Sequence, residues 1–313
     1  MAKDLRRTKN SIVLQGIVGD LTSNDKGNGF SSGVGTNGKK FKKVKMSLRT
    51  SKGNIVYAEL KGYVNDKVTF YNQSTKESIK VPWADRYTFF KEGFALMKPD
   101  YDLIEEMERT LVKGMSVKMK FAMAGDNYVT KDGVPVKRTY LKITSCEPID
   151  NLNMDDANFE ELNYVNMDVI LKKVSDGPTG EMIVDGFFVD NFGKPHEIQL
   201  IATKEDAENL YGMRGLRYGT LFTVVNGKYK NSISQGVEEV QNKAGFGKAT
   251  VAKQVDNRSR GIYFDTVDGA NIIDGAYSPE DIAAAMEGVI AKPETPVSAT
   301  ATVTNDDLDL DLL

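Results

Sequence analysis

Residues 41–63, FKKVKMSLRTSKGNIVYAELKGY, decide the fold. Over residues 41–50 the chain alternates with period two, so that Val44, Met46 and Leu48 share one side of an extended strand while Phe41, Lys43, Lys45 and Arg49 share the other. Residues 51–54, SKGN, supply a turn. Residues 55–63 then return with Val56, Ala58 and Leu60 on one side and Tyr57, Lys61 and Tyr63 on the opposite one. A helix would scatter these residues around its axis, whereas a hairpin sorts them. One face goes to a core, and the outer face interleaves positive charge with rings.

The flanking sequence extends this hairpin into a small barrel. An apolar run over residues 11–19 precedes it, and a helix is expected over 100–113, with Leu103, Ile104, Met107 and Leu111 as its stripe and Gly114 past its end. Residues 115–125 alternate Val117, Met119, Phe121 and Met123 with Lys118 and Lys120, and after a turn at 131–133 residues 138–146 alternate Leu141 and Ile143 with Arg138, Tyr140 and Lys142. Strand, strand, strand, helix, strand, strand is the order of an OB-fold, a five-stranded Greek-key barrel. An inserted hairpin over residues 64–98 is rich in rings, of which Trp83, Phe89 and Phe90 read as core.

The same order recurs downstream. After an acidic linker at 151–163, strands are expected at 164–174, 182–189 and 196–202, followed by a short helix capped by Thr203, then strands at 220–229, 248–255 and 261–267. A further helix over 277–291 opens with Ser278 as cap and Pro279 in its first position. The fold class is therefore mainly β with minor α: tandem OB-fold domains at 1–150 and 164–276. Residues 292–304 hold two prolines and no amphipathic period, which makes them a disordered tether. It ends in an acidic tip of Asp306, Asp307, Leu308, Asp309, Leu310, Asp311, Leu312 and Leu313, whose leucines add an apolar anchor to the carboxylates.

Charge divides the chain of 313 residues. Its net −3 conceals 27 Lys and Arg against 17 Asp and Glu in residues 1–150, and 14 against 27 in the remainder. A polyanion-binding half joined to an acidic half follows from that asymmetry. The single cysteine, Cys146, excludes an internal disulfide and suits a reducing cytoplasm. The first apolar run is too short for a membrane span.

Catalytic constellations are scarce. Residues 33–39, GVGTNGK, match G-x-G-x-x-G, but a lysine-rich strand follows where a phosphate-binding helix would have to begin, so they read as a flexible loop between the first two barrel strands. His196 is the only histidine and reads as a strand-end residue, while Glu105, Glu106 and Glu108 read as a solvated helix face. No metal site and no cofactor are expected. The positive case rests on Lys39, Lys40, Lys43, Lys45, Arg49, Lys61, Lys118, Lys120 and Arg138 for phosphates, with Phe41, Tyr57, Tyr63 and Tyr140 as stacking platforms for bases.

Residues 111–143, LVKGMSVKMKFAMAGDNYVTKDGVPVKRTYLKI, and the tip NDDLDLDLL together resemble OB-fold single-stranded DNA-binding proteins with an acidic C-terminal tail, of the bacteriophage type. That resemblance implies sequence-independent coating of single-stranded DNA in replication, recombination or repair, without catalysis, in the host cytoplasm if the chain is phage-encoded. It also implies recruitment of partner enzymes by the tip. Two other readings remain open: a structural or adaptor protein, marked by the absence of salt-sensitive polynucleotide affinity, and a metal-dependent enzyme of nucleic-acid metabolism, marked by divalent-dependent turnover.

Overall fold

Fourteen strands and three α-helices appear in the computed structural model, which describes residues 4–21, 29–129, 134–241 and 250–287. The first half contributes β1 (Asn10–Val18), β2 (Gly29–Val34), β3 (Lys40–Arg49), β4 (Ile55–Tyr63), β5 (Lys67–Tyr71), β6 (Ser78–Pro82), β7 (Ala95–Leu96), α1 (Asp100–Thr110), β8 (Ser116–Val129) and β9 (Pro135–Pro148). β1 pairs with β3 through Ile17 and Arg49, and β3 pairs with β4 along its length. β4 then runs parallel to β9 at Ala58 and Leu141, β9 pairs with β8, and β8 closes the ring on β1. Five strands in this order, with a helix before the last two, make an OB barrel by connectivity. Val44, Met46, Leu48, Val56, Ala58 and Leu60 fill its core as the alternation requires.

Four expectations in this half are corrected. Residues 29–34 are a strand paired with residues 40–45, so Gly33 and Val34 belong to a hairpin arm rather than to a loop. α1 ends at Thr110, because Leu111 turns extended at φ −84 and ψ 136 while its N–H still bonds the Met107 carbonyl. Residues 64–98 form a three-stranded sheet with its own core of Val68, Phe70 and Val81. Phe89 packs edge-on to Phe70 at 4.8 Å, but Phe90, read as core, is 86% exposed.

The second half repeats the plan with β10 (Asn163–Asp176), β11 (Met182–Val189), β12 (Pro195–Ala202), α2 (Lys204–Asn209), β13 (Leu221–Gln241) and β14 (Thr250–Tyr263). β10, β11 and β12 pair in succession, β12 runs parallel to β14 at Leu200 and Ile262, and β13 links β14 back to β10. Thr203 caps α2 by accepting the Asp206 N–H. Where two strands are expected at 248–255 and 261–267, one continuous β14 runs from Thr250 to Tyr263, with 248–249 outside the described residues and 264–267 past its end, and β13 runs on past Tyr229, its ladder with β14 unbroken from Asn231–Arg260 to Gln241–Thr250. α3 (Pro279–Glu287) opens with a reciprocal cap, in which Ser278 Oγ accepts from Asp281 N at 3.1 Å and Ser278 N donates to Asp281 Oδ2 at 2.9 Å.

The two barrels share one sheet. β1 and β10 pair antiparallel from Asn10–Met167 to Leu14–Asn163, fusing eleven strands. Gly16 sits where β1 passes from β10 to β3, and a Cβ there would meet the Arg49 carbonyl oxygen at 2.5 Å. The acidic segment between the barrels packs as well as connects: Met154 is buried, and Glu161 accepts from Thr50 Oγ1, Asn54 Nδ2 and Asn163 Nδ2. Asn54 in turn accepts from Asn231 N at 2.7 Å. A second seam lies where β8 meets β12, since a Cβ on Gly125 would fall 2.0 Å from His196 Nδ1. His196 itself is buried near the start of β12, stacked on Phe188 and bonded to Asp190.

Candidate nucleic-acid interface

Direct cross-strand pairing assembles the outer face of β3 and β4. Phe41 lies opposite Tyr63, Lys43 opposite Lys61, Lys45 opposite Glu59 and Ser47 opposite Tyr57. Residues paired in this way point to the same side of a sheet, with Cβ atoms about 4.5–5.5 Å apart. The Phe41 and Tyr63 rings sit 5.9 Å apart at a tilt of 57°, and the Lys61 ammonium lies over both, 4.6 Å from Phe41 and 5.1 Å from Tyr63. Tyr57 stands 59% exposed at the far end of the same face.

β9 extends the face through its parallel pairing with β4. Arg138 donates to Glu59 at 2.6 Å and lies 5.0 Å from the Tyr140 ring centroid. Burial, and after it the charges of Asp126 and Glu59, push the Tyr140 phenol up to about 12, so it remains a neutral donor. Burial also lowers the Lys43 ammonium, and Lys45, Lys61 and Arg138 lower it further against the opposing pull of Glu59. Like charges are thus held close together on a half-buried floor. A phosphate placed there would relieve that repulsion, and an exposed base would find rings beside it.

Among the residues singled out from sequence, Phe41, Lys43, Lys45, Tyr57, Lys61, Tyr63, Arg138 and Tyr140 share this face. Lys39 and Lys40 lie at the rim, Lys39 within 3.8 Å of Asp66, and Arg49 is exposed at the other end of β3. Lys118 and Lys120 lie elsewhere: in the closed ring, β8 is separated from β3 by β1 and from β4 by β9. Two features have no counterpart in the sequence reading. Lys42, of the opposite parity, pairs with Glu105 and Glu108 of α1, and Glu59 sets a carboxylate within the cationic cluster. The tip residues Asp306–Leu313 fall outside the described residues.

The equivalent face of the second barrel has a different character. On β11 and β12, Asp185 lies opposite Gln199 and Phe187 opposite Glu197, and Phe187 is buried under Leu5, Tyr277 and Ile282. α3 and the N-terminal segment thus cover the ring that this face carries.

A family model described as YorF matches residues 9–295. A search of curated proteins finds no match. Among solved structures, the wild-type single-stranded DNA binding protein from Thermus aquaticus is similar at 12% identity and a TM-score of 0.43, over 84% of this chain and 93% of that one. A deletion variant of the same Thermus aquaticus protein is similar at 13% identity and a TM-score of 0.41, over 84% of this chain and 94% of that one.

Proposed function

We propose that this chain, which belongs to the YorF family, is a non-enzymatic, sequence-independent single-stranded DNA-binding protein acting in replication, recombination or repair. The cross-strand cluster of Phe41, Tyr63, Lys43, Lys61 and Arg138 carries the reading. Lysines track the phosphates, and the rings stack bases whatever their identity, a contact closed to duplex DNA because its base faces are already stacked. Fluorescence titration of the full chain with poly-dT, poly-U and duplex DNA at two salt concentrations tests it. Single strands are expected to bind more tightly, with a slope of about −0.7 in log K against log salt for each neutralised phosphate. Equal affinity for duplex, or indifference to salt, overturns the proposal and favours an adaptor role.

The tip supplies the proposed recruitment. Four aspartates on a tether compete with DNA for the cationic face in the free chain, and DNA binding releases the leucines to a partner enzyme. Removing residues 305–313 is expected to raise affinity for single strands, most visibly at low salt where screening is weak, and to abolish pull-down of replication or recombination proteins. Unchanged affinity together with an unchanged set of partners reduces the tip to a solubilising end.

A further inference from the structure

The β1–β10 ladder creates a row of side chains that neither barrel has alone. Lys120 on β8 pairs with Val13 on β1, and Val13 pairs on its other edge with Tyr164 on β10. On β10 and β13, Val165 pairs with Gly227, which sets Tyr164 beside Lys228, whose ammonium lies 4.6 Å from the Tyr164 ring centroid. Lys228 pairs with Tyr263 on β14, and the Lys230 ammonium lies 4.3 Å from that ring. The inward neighbours Ile12, Leu14, Met119, Phe121 and Val165 are all buried, so the row faces outward. It crosses five strands, about 19 Å at roughly 4.8 Å per strand.

Lys118 joins the row through Gln15, its partner on β1. Lys172 and Lys173, elsewhere on the second barrel, are paired with Glu197 and Asp185, but Lys118, Lys120, Lys228 and Lys230 have no carboxylate partner among the described residues. Acids near the row are Glu147, opposite Lys118, Asp265, two residues beyond Tyr263 and bonded by Thr266 Oγ1, and Asp168, which is occupied by Lys9 N and Thr223 Oγ1. Unpaired ammonium groups alternating with tyrosines, one of them 42% exposed, repeat the chemistry of the β3–β4 face on a surface that face does not reach.

We infer that Lys118, Lys120, Tyr164, Lys228, Lys230 and Tyr263 form a second binding surface for single-stranded nucleic acid, spanning the junction of the two barrels. The inference rests on the function proposed above and assigns it a longer footprint. Self-association through this face is disfavoured, because a two-fold contact presents the same four lysines to each other.

The test uses the full chain, wild type against Lys118→Ala/Lys120→Ala/Lys228→Ala/Lys230→Ala, with oligothymidines of about 8 and about 35 nucleotides, chosen because one barrel covers roughly 4–16. On the long strand, affinity is expected to fall roughly tenfold or more, and the salt slope to shrink by about 3, or about 0.7 per lysine. Binding of the short strand stays as in wild type, and Tyr164→Ala/Tyr263→Ala reproduces the loss on the long strand with a smaller change of slope. A lysine variant identical to wild type on both strands overturns the second surface and leaves the first intact. A variant that sediments as a smaller species than wild type, with DNA binding unchanged, shows that the face joins copies of the chain and overturns the proposal. If wild type binds neither strand, the proposed function itself fails.

Discussion

Replacing Phe41 and Tyr63 together by alanine is expected to weaken poly-dT binding by about 2–6 kcal/mol, since each base–ring stack contributes about 1–3 kcal/mol. Both rings project from the outer face of the first barrel, paired directly across β3 and β4. The buried partners of these strands, Val44, Met46, Val56 and Leu60, are untouched by the change, so the melting temperature is expected to hold. Tyr57→Ala, at the exposed far end of the face, is expected to cost about 1–3 kcal/mol of binding, and Tyr63→Phe is expected to cost little because it keeps the ring. If the double variant binds poly-dT like wild type while melting earlier, these rings support the barrel and do not meet DNA.

Asp102→Ala is expected to lower folding stability by roughly 3 kcal/mol in a denaturant titration, as removal of one partner leaves a poorly solvated charge behind. Asp102 is buried on the first turn of α1, where it receives Arg86 Nε at 2.9 Å and Nη2 at 3.3 Å. The Arg86 guanidinium also lies 4.3 Å from the ring centroids of both Trp83 and Tyr87. Trp83 meets Tyr101 of the helix edge-on at 5.9 Å. Arg86 is thus a rivet holding residues 64–98 to α1. Limited proteolysis within that segment is expected to accelerate in the variant, and proteolysis as slow as in wild type shows that the small core around Phe70 holds the insertion without it.

The β3–β4 hairpin was fully legible because its two faces meet different solvents, and period-two alternation records that difference residue by residue. The reciprocal cap at Ser278 and the cap at Thr203 were legible for a similar reason: local geometry demands an oxygen at one position. β2 was not, since Gly29-Phe-Ser-Ser-Gly-Val34 carries no alternating apolar set, and only the neighbouring edge of β3 makes it a strand. The far part of β13 lacked a signal because it pairs with β14 along a two-stranded ladder, where its sequence over 231–241, NSISQGVEEVQ, shows no sustained alternation, whereas the β14 side of that ladder was legible as the strand expected at 248–255. Parity correctly turned Lys118 and Lys120 outward. It cannot say which side of a closed cylinder a strand occupies, and ring closure through β1 and β9 placed them away from Lys43 and Lys61.

The hydrogen-bonded seam between β1 and β10 has a consequence for the mechanics of a loaded strand. Two modules on a flexible linker search for each other, and each doubling of the linker dilutes the second contact. Here the distance between modules is a lattice spacing, set by the pitch of a single sheet and insensitive to tension on the ligand. A polymer laid across both barrels would meet two surfaces at one fixed separation, so its second contact would form without a search and at the same spacing in every molecule.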